Sequence, residues 1–185
     1  MYEQFKARAE GVGAEVSRFA TNAEALGFVI RFLQNEALAD TPQSTALWAD
    51  CPFLAQVDRQ TLQQHRGLTF EVTRELAADA KFGISQMEWA LADTGSLVQN
   101  STAVEQRLVS SLSTIHIALV PTVGIVPDMP ALLARVHPKD CAYLAMITGP
   151  SRTADIERVL TIGVHGPERL VIIFVDELRG GRNGN

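Results

Sequence analysis

"CAYLAMITGPSRTADIERVLTIGVHGPERLVIIFV", residues 141–175, decides the fold class. Two apolar runs, 142–148 and 170–175, enclose a polar segment of different periodicity. Neither run alternates polar with apolar residues, as a strand with one wet face would. A strand of a parallel sheet with helices over both faces is apolar throughout. Between the runs, Gly149-Pro150 closes the first. Ser151 or Thr153 suits a helix cap, and Asp155 falls in the first turn, where a carboxylate complements the helix dipole. Ile156, Val159 and Leu160 share one face, and Gly163 suits the position just past the helix end. The unit therefore reads strand–helix–strand, with a helix over 153–162.

The same alternation extends upstream. "TALWA" (45–49), "LTFEV" (68–72), "TIHIALV" (114–120) and "SLVQ" (96–99) are strand candidates. Asp50 and Pro52 suit a helix start, with Leu54, Val57 and Leu62 as its face and Gly67 at its end. Thr102 and Glu105 have capping-box spacing before Val104, Leu108 and Leu112, which predicts those three as one buried face. "PDMPALLARVH" (127–137) predicts a helix with Pro130 near its first turn. Nearer the start, residues 2–10 predict a helix and "AEVSRFA" a short strand. Thr21 with Glu24 opens a second helix carrying Leu26, Val29, Ile30, Leu33 and Ala37. Strands alternating with helices predict a three-layer α/β/α domain with a mainly parallel sheet. Residues 1–178 read as a single domain, with 1–40 as helical elements packed on it. The tail 179–185, "RGGRNGN", offers no apolar anchor and reads as flexible.

Bulk composition narrows the function. With 185 residues, 46% apolar and 20% charged, the chain can bury a core of its own. A net charge of −5 argues against a nucleic-acid partner. No apolar run approaches the ~20 residues of a transmembrane segment, and "MYEQFKARAE" has no signal-peptide core, so a cytoplasmic location is expected. Cys51 and Cys141 lie far apart and outside any metal-ligand spacing, so no metal site is expected.

Three polar loops are the candidate sites. In "GPSRTADIE", free amides at a helix start and Arg152 would attract a carboxylate or phosphate. A loop after a parallel strand is the usual ligand position in such sheets. A capped helix with Arg152 paired to Asp155 or Glu157 explains the same residues. In "GVHGP", His165 between glycines suits an acid, a base or an anion donor, or else an exposed turn. "ALADTGSLV" (90–98) contains the Asp-Thr-Gly-Ser of aspartic proteases. Those enzymes need two such aspartates and an all-β frame, and this chain has one, among helices. Gly95 here suits a turn. His116 in a strand, His65 and His137 carry less signal. Glu88 beside Trp89 reads as a buried carboxylate of raised pKa or as a half-exposed helix residue, and Arg107 as a site residue or a solvated one. There is no GxSxG, no GxGxxG and no Walker loop.

Taken in order and spacing, "ALADTGSLV", "SSLSTIHIALVP" and "GPSRTADIERVLTIGVHGPERLVIIFVDE" resemble the LUD-domain family, of the lactate-utilisation protein C type. The resemblance covers residues 80–177. It implies a NagB/RpiA/CoA-transferase-like fold and a part in oxidising L-lactate to pyruvate, beside two iron–sulfur partner proteins. No cofactor is expected in this chain itself, which lacks the cysteines for a cluster. The matched motifs nominate Thr94, Gly95, Ser96, Ser151, Arg152, Thr153 and Gly166 as ligand-binding, and His165 and Asp155 as catalytic candidates. The chain then reads as a non-redox subunit with a cleft for a carboxylate or other small anion. A stand-alone isomerase, CoA-transferase or cyclo-ligase acting on a phosphorylated or acyl ligand, and a scaffold subunit without catalysis, stay open beside it.

Overall fold

The computed structural model describes residues 1–136, 139, 141–152 and 165–179. The helix expected over 153–162, with Thr153 and Asp155, lies outside the described residues. In chain order the elements are α1 (Tyr2–Gly11), β1 (Glu15–Phe19), α2 (Asn22–Asn35), β2 (Ala46–Trp48), a 3-10 turn (Pro52–Gln56), α3 (Arg59–Gln63), β3 (Leu68–Thr69), α4 (Arg74–Asp79), β4 (Phe82–Gln86), β5 (Trp89–Leu91), β6 (Ser96–Asn100), α5 (Val104–Ser111), β7 (Ile115–Pro121), a 3-10 turn (Thr122–Gly124), β8 (Ile125–Val126), α6 (Met129–Leu133), β9 (Leu144–Ile147) and β10 (Arg169–Val175).

Six strands form one parallel sheet, in the order β1-β10-β7-β4-β2-β3. Alternation along β10 sends Val171, Ile173 and Val175 to one face and Leu170, Ile172 and Phe174 to the other. The first face packs on Ala25, Val29 and Leu33 of α2. The second packs on Phe5 and Ala9 of α1 and on Ala90 and Leu97 of a smaller sheet, ordered β8-β5-β6-β9. Both faces are dry, so both sets are apolar, which is why the run reads as continuous. Phe174 seals the α1 side: the rings of Phe5 and Tyr2 meet it edge-on at centroid distances of 5.0 and 5.4 Å. Thr21 caps α2 with the expected reciprocal pair, its hydroxyl accepting from Glu24 N and Glu24 accepting from Thr21 N.

Five expectations are corrected. The run 142–148 does not make a buried strand of the parallel sheet. β9 is the edge strand of the smaller sheet, antiparallel to β6, and Met146 is 48% exposed. An apolar run shows that a strand has something to bury but not which sheet it joins. Thr102 caps no helix: α5 begins after Ala103 without a side-chain cap, and the Thr102 hydroxyl donates to Asn100 Oδ1 and accepts from Ala142 N. The stripe Val104, Leu108, Leu112 is not the buried face of α5: the helix buries Val109 and Ser110, holds Leu108 partly buried against the Val109 cluster, and leaves Val104 and Leu112 exposed. Gly83 is the cause. A Cβ there would collide with the Val109 carbonyl oxygen and the Ser113 hydroxyl, so its absence lets the α5 backbone lie on β4. The helix expected from Asp50 to Gly67 divides at Asp58, whose carboxylate caps α3 through Gln60 N and Thr61 N, and "LTFEV" keeps only Leu68–Thr69 in the sheet.

Candidate functional site

Among the described residues the three polar loops touch one another but do not line one cleft; residues 153–155 and 163–164 lie outside the described residues. The turn between β5 and β6 leaves Thr94 exposed, and Gly95, at φ +71°, rests on the backbone of Arg8 and Ala9 in α1. The Ser96 hydroxyl lies 2.7 Å from that of Thr148. Gly149, at φ +68°, closes on Val12, and Arg152 Nη2 donates to the Val12 carbonyl at 2.6 Å. Ser151 N donates to Pro167 O at 2.8 Å. His165 and Gly166 line a cleft of about 420 Å³ with Ser111, Ser113, Thr114 and Glu168. Thr94, Gly95, Ser96 and Arg152 are not part of that lining. The cleft sits at the amino ends of β7 and β10, beside the carbonyl end of α5 and a carboxylate. That electrostatic setting suits a cation better than an anion.

The opposite, carboxyl end of the sheet holds a second polar assembly. From β2 the chain winds outward to β3. From β4 it winds the other way, to β7 and β10. The winding reverses between β2 and β4, and the crevice at the carboxyl ends of such a strand pair is where ligands bind in open α/β sheets. Three glutamines line this place. Gln86, ending β4 and 4% exposed, accepts from Phe53 N at 2.9 Å. Gln99, on β6 and 1% exposed, donates to Gln86 O and to Gln106 Oε1, both at 2.8 Å, and accepts from Ser101 Oγ. Gln106, on α5, donates to Asp50 O at 2.7 Å. The network ties four chain segments together around the reversal point. Its sequence signal was weak: Gln86 ends a run, "FGISQ", too poor in apolar bulk to read as a strand, and Gln99 sits one residue before the end of β6.

Glu88 stands two residues past the end of β4, on a connection rather than a helix. Its N donates to Val98 O, and its Oε2 accepts from Asn100 N at 2.8 Å. Gly124 presses on its carbonyl so closely that a Cβ would collide, which holds the peptide in place. Burial removes water from the carboxyl group and pushes its pKa up to about 7, against the smaller opposing pull of two backbone amides. Near neutral pH it is therefore divided between acid and carboxylate. His116, on β7, is fully buried, with Nε2 2.8 Å from Ser85 Oγ and Nδ1 without a partner. Burial lowers its pKa to about 3, so the ring is neutral. The pair has the donor–acceptor geometry of a serine and its base but no third group to orient it, and it acts as a core hydrogen bond. Among the described residues no three His, Cys, Asp or Glu side chains cluster to hold a metal ion, and no helix is long and apolar enough to cross a membrane.

A family model described as the LUD domain matches residues 2–175. Among curated proteins, the chain is 37% identical over 109 residues to lactate utilization protein C of Halalkalibacterium halodurans, an alignment covering 56% of this chain and 47% of that one. It is 38% identical over 107 residues to the Bacillus subtilis protein of the same name, covering 55% and 45%. The match thus spans about half the length of these relatives. Among solved structures, a DUF162 family protein from Deinococcus radiodurans superposes with a TM-score of 0.63 over 94% of this chain and 95% of that one, at 21% identity, a likeness of fold.

Proposed function

The chain belongs to the LUD-domain family, and from that premise we propose that it is a component of L-lactate utilisation that binds a small carboxylate and leaves electron transfer to two iron–sulfur partner proteins. The similarity to lactate utilization proteins C is the observation that carries this reading. The chain's own chemistry is consistent with a non-redox part: it offers amides, hydroxyls and one carboxyl of raised pKa. Its two cysteines are far apart in sequence, and Cys51 is buried with its thiol pKa pushed up by that burial.

Within this reading the ligand is received at the β2/β4 reversal crevice. Arg152 is less suited to hold it, because its guanidinium is engaged by the Val12 carbonyl. Ser96, Gly95 and Arg152 then serve as braces that join the smaller sheet and the 149–152 loop to one another and to α1, Ser151 ties that loop to Pro167, and His165 and Gly166 form a separate wall. The test is genetic. Deleting the gene from its host should abolish growth on L-lactate as the only carbon source while leaving growth on glucose intact, and the restored gene should rescue it. A deletion strain that grows on L-lactate at the parental rate refutes the proposal.

A further inference from the structure

We propose that the groove between α2 and α3 is a binding site for an aliphatic monocarboxylate, with its carboxylate on Arg31 and His65 and its chain laid toward Asp58. The site is separate from the β2/β4 crevice and does not depend on the role proposed above. The groove has a volume of about 460 Å³, within the range of small-ligand sites. Its floor is Ala23, Leu26 and Ile30 of α2 and Leu62 of α3. Leu26 and Ile30 each stand one residue beyond a core position, Ala25 and Val29, and so are turned about 100° round the helix from it. α2 therefore carries more apolar surface than the sheet takes up, and Leu26 and Ile30 stay only partly buried.

The polar groups stand at the ends. Asn22 Nδ2 donates to Gln56 Oε1 at 2.7 Å, so α2 begins beside the segment that leads to Asp58. Arg31 lies roughly 12 Å along the helix from Ala23, at the end that His65 closes. Helical side chains tilt toward the start of their helix, and Arg31 bends back over Gly27: its Nη1 lies 3.2 Å from where a Cβ on that glycine would be. Gly27 is thus the gap through which the guanidinium enters the groove. Among the described residues neither that guanidinium nor the His65 ring has a hydrogen-bond or ion-pair partner. Asp58 is already engaged. Its carboxylate accepts from Thr61 Oγ1, Thr61 N and Gln60 N, which hold its pKa below the usual carboxylate value. An unengaged cation at one end, a fixed anion at the other and an apolar floor between them complement a molecule with one carboxylate and an apolar chain. A second carboxylate at the far end of that chain would meet Asp58. α3 has five residues, so the groove is too short for the roughly 800 Å² a side that a stable protein partner covers.

Hexanoate, octanoate, octanol and suberate, the eight-carbon diacid, are titrated calorimetrically into the full chain. Octanoate should bind with a Kd below about 1 mM, and hexanoate about tenfold more weakly, since two fewer methylenes cover the floor. Octanol and suberate should each bind at least about tenfold more weakly than octanoate. Carbon-13 methyl spectra should show Leu26, Ile30 and Leu62 shifting as octanoate is added. Arg31 is exposed and holds nothing else, so Arg31→Gln should unfold at the wild-type temperature and bind octanoate about tenfold more weakly. Gly27→Ala adds a better helix former but displaces the guanidinium, so its Tm should not fall while its affinity drops at least about threefold. The proposal is overturned by no octanoate binding at about 10 mM, by equal affinities for octanoate and octanol or suberate, by methyl signals that stay in place, or by an unchanged affinity in either variant. Self-association of the chain that Leu26→Gln abolishes, with octanoate unbound, gives the groove to a second copy and overturns it as well.

Discussion

Replacing Glu88 by glutamine should make the protein more stable at alkaline pH and leave it nearly unchanged in acid. In the unfolded chain the carboxyl titrates near 4.5, and in the folded chain near 7. The folded state therefore holds its proton more tightly. The favourable contribution of protonated Glu88 is complete below about pH 4.5 and is lost as pH rises through about 7. At ~1.36 kcal/mol per decade the full difference is at most about 3 kcal/mol, and about 2 kcal/mol remains after allowance for the part of the group that still meets water. Glutamine keeps the shape and has no charge to bury. Urea unfolding of both proteins at intervals from pH 5 to pH 8, followed by circular dichroism, gives the difference in stability at each pH. Subtracting one protein from the other cancels every other titrating group, His116 included. Glu88→Gln should gain about 2 kcal/mol relative to wild type across that range, most of it between pH 5 and pH 7. A difference flat to within about 0.5 kcal/mol means that the carboxyl is well solvated, and the account of the crevice as a dry amide-lined place fails.

Gly83→Ala should cost more than about 2 kcal/mol by the same unfolding measurement, because the added Cβ meets the α5 backbone at the Val109 carbonyl rather than the movable end of a side chain. His116 should stay neutral down to pH 5 by ring proton NMR. Its pKa is lowered in the folded state, so the stability it contributes is present above about 6.5 and lost as pH falls toward 3. Removing its partner by Ser85→Ala should cost about 1–3 kcal/mol, since the second ring nitrogen is already without one. Arg169, bonded to Glu15 at 2.9 Å and Glu36 at 2.7 Å, is partly exposed; Arg169→Met should cost no more than about 1 kcal/mol, and less at high salt.

Much of the scaffold could be read without coordinates, for local reasons. The Thr21–Glu24 box works within one turn of helix, and β7 and β10 are apolar on both faces because both faces are covered. "FGISQ" escaped notice as a strand because Gly83 and Ser85 lack apolar bulk. They are small because α5 lies on one and His116 reaches the other. The stripe on α5 misled for the complementary reason. Periodicity shows that Val104, Leu108 and Leu112 share a face, while the absence of one Cβ on a distant strand decides which face turns inward.

The candidate site divides along the same line. Glu88 was legible as a carboxyl group that burial could perturb, and the motif loops were legible as carrying neither a redox ligand nor a nucleotide cradle. That Gln86, Gln99 and Gln106 form one network, and that Arg152 reaches back to Val12, depends on residues brought together across 7 to 140 positions of chain. By itself, then, the sequence determined the class of fold, the Thr21-capped helix, the doubly buried strands β7 and β10 and the family. Only the tertiary structure decided that β9 leaves the parallel sheet, that the winding reverses between β2 and β4, and that the polar side chains gather there. Local pattern records what each segment must bury, whereas strand order and backbone approach are set by every segment burying at once.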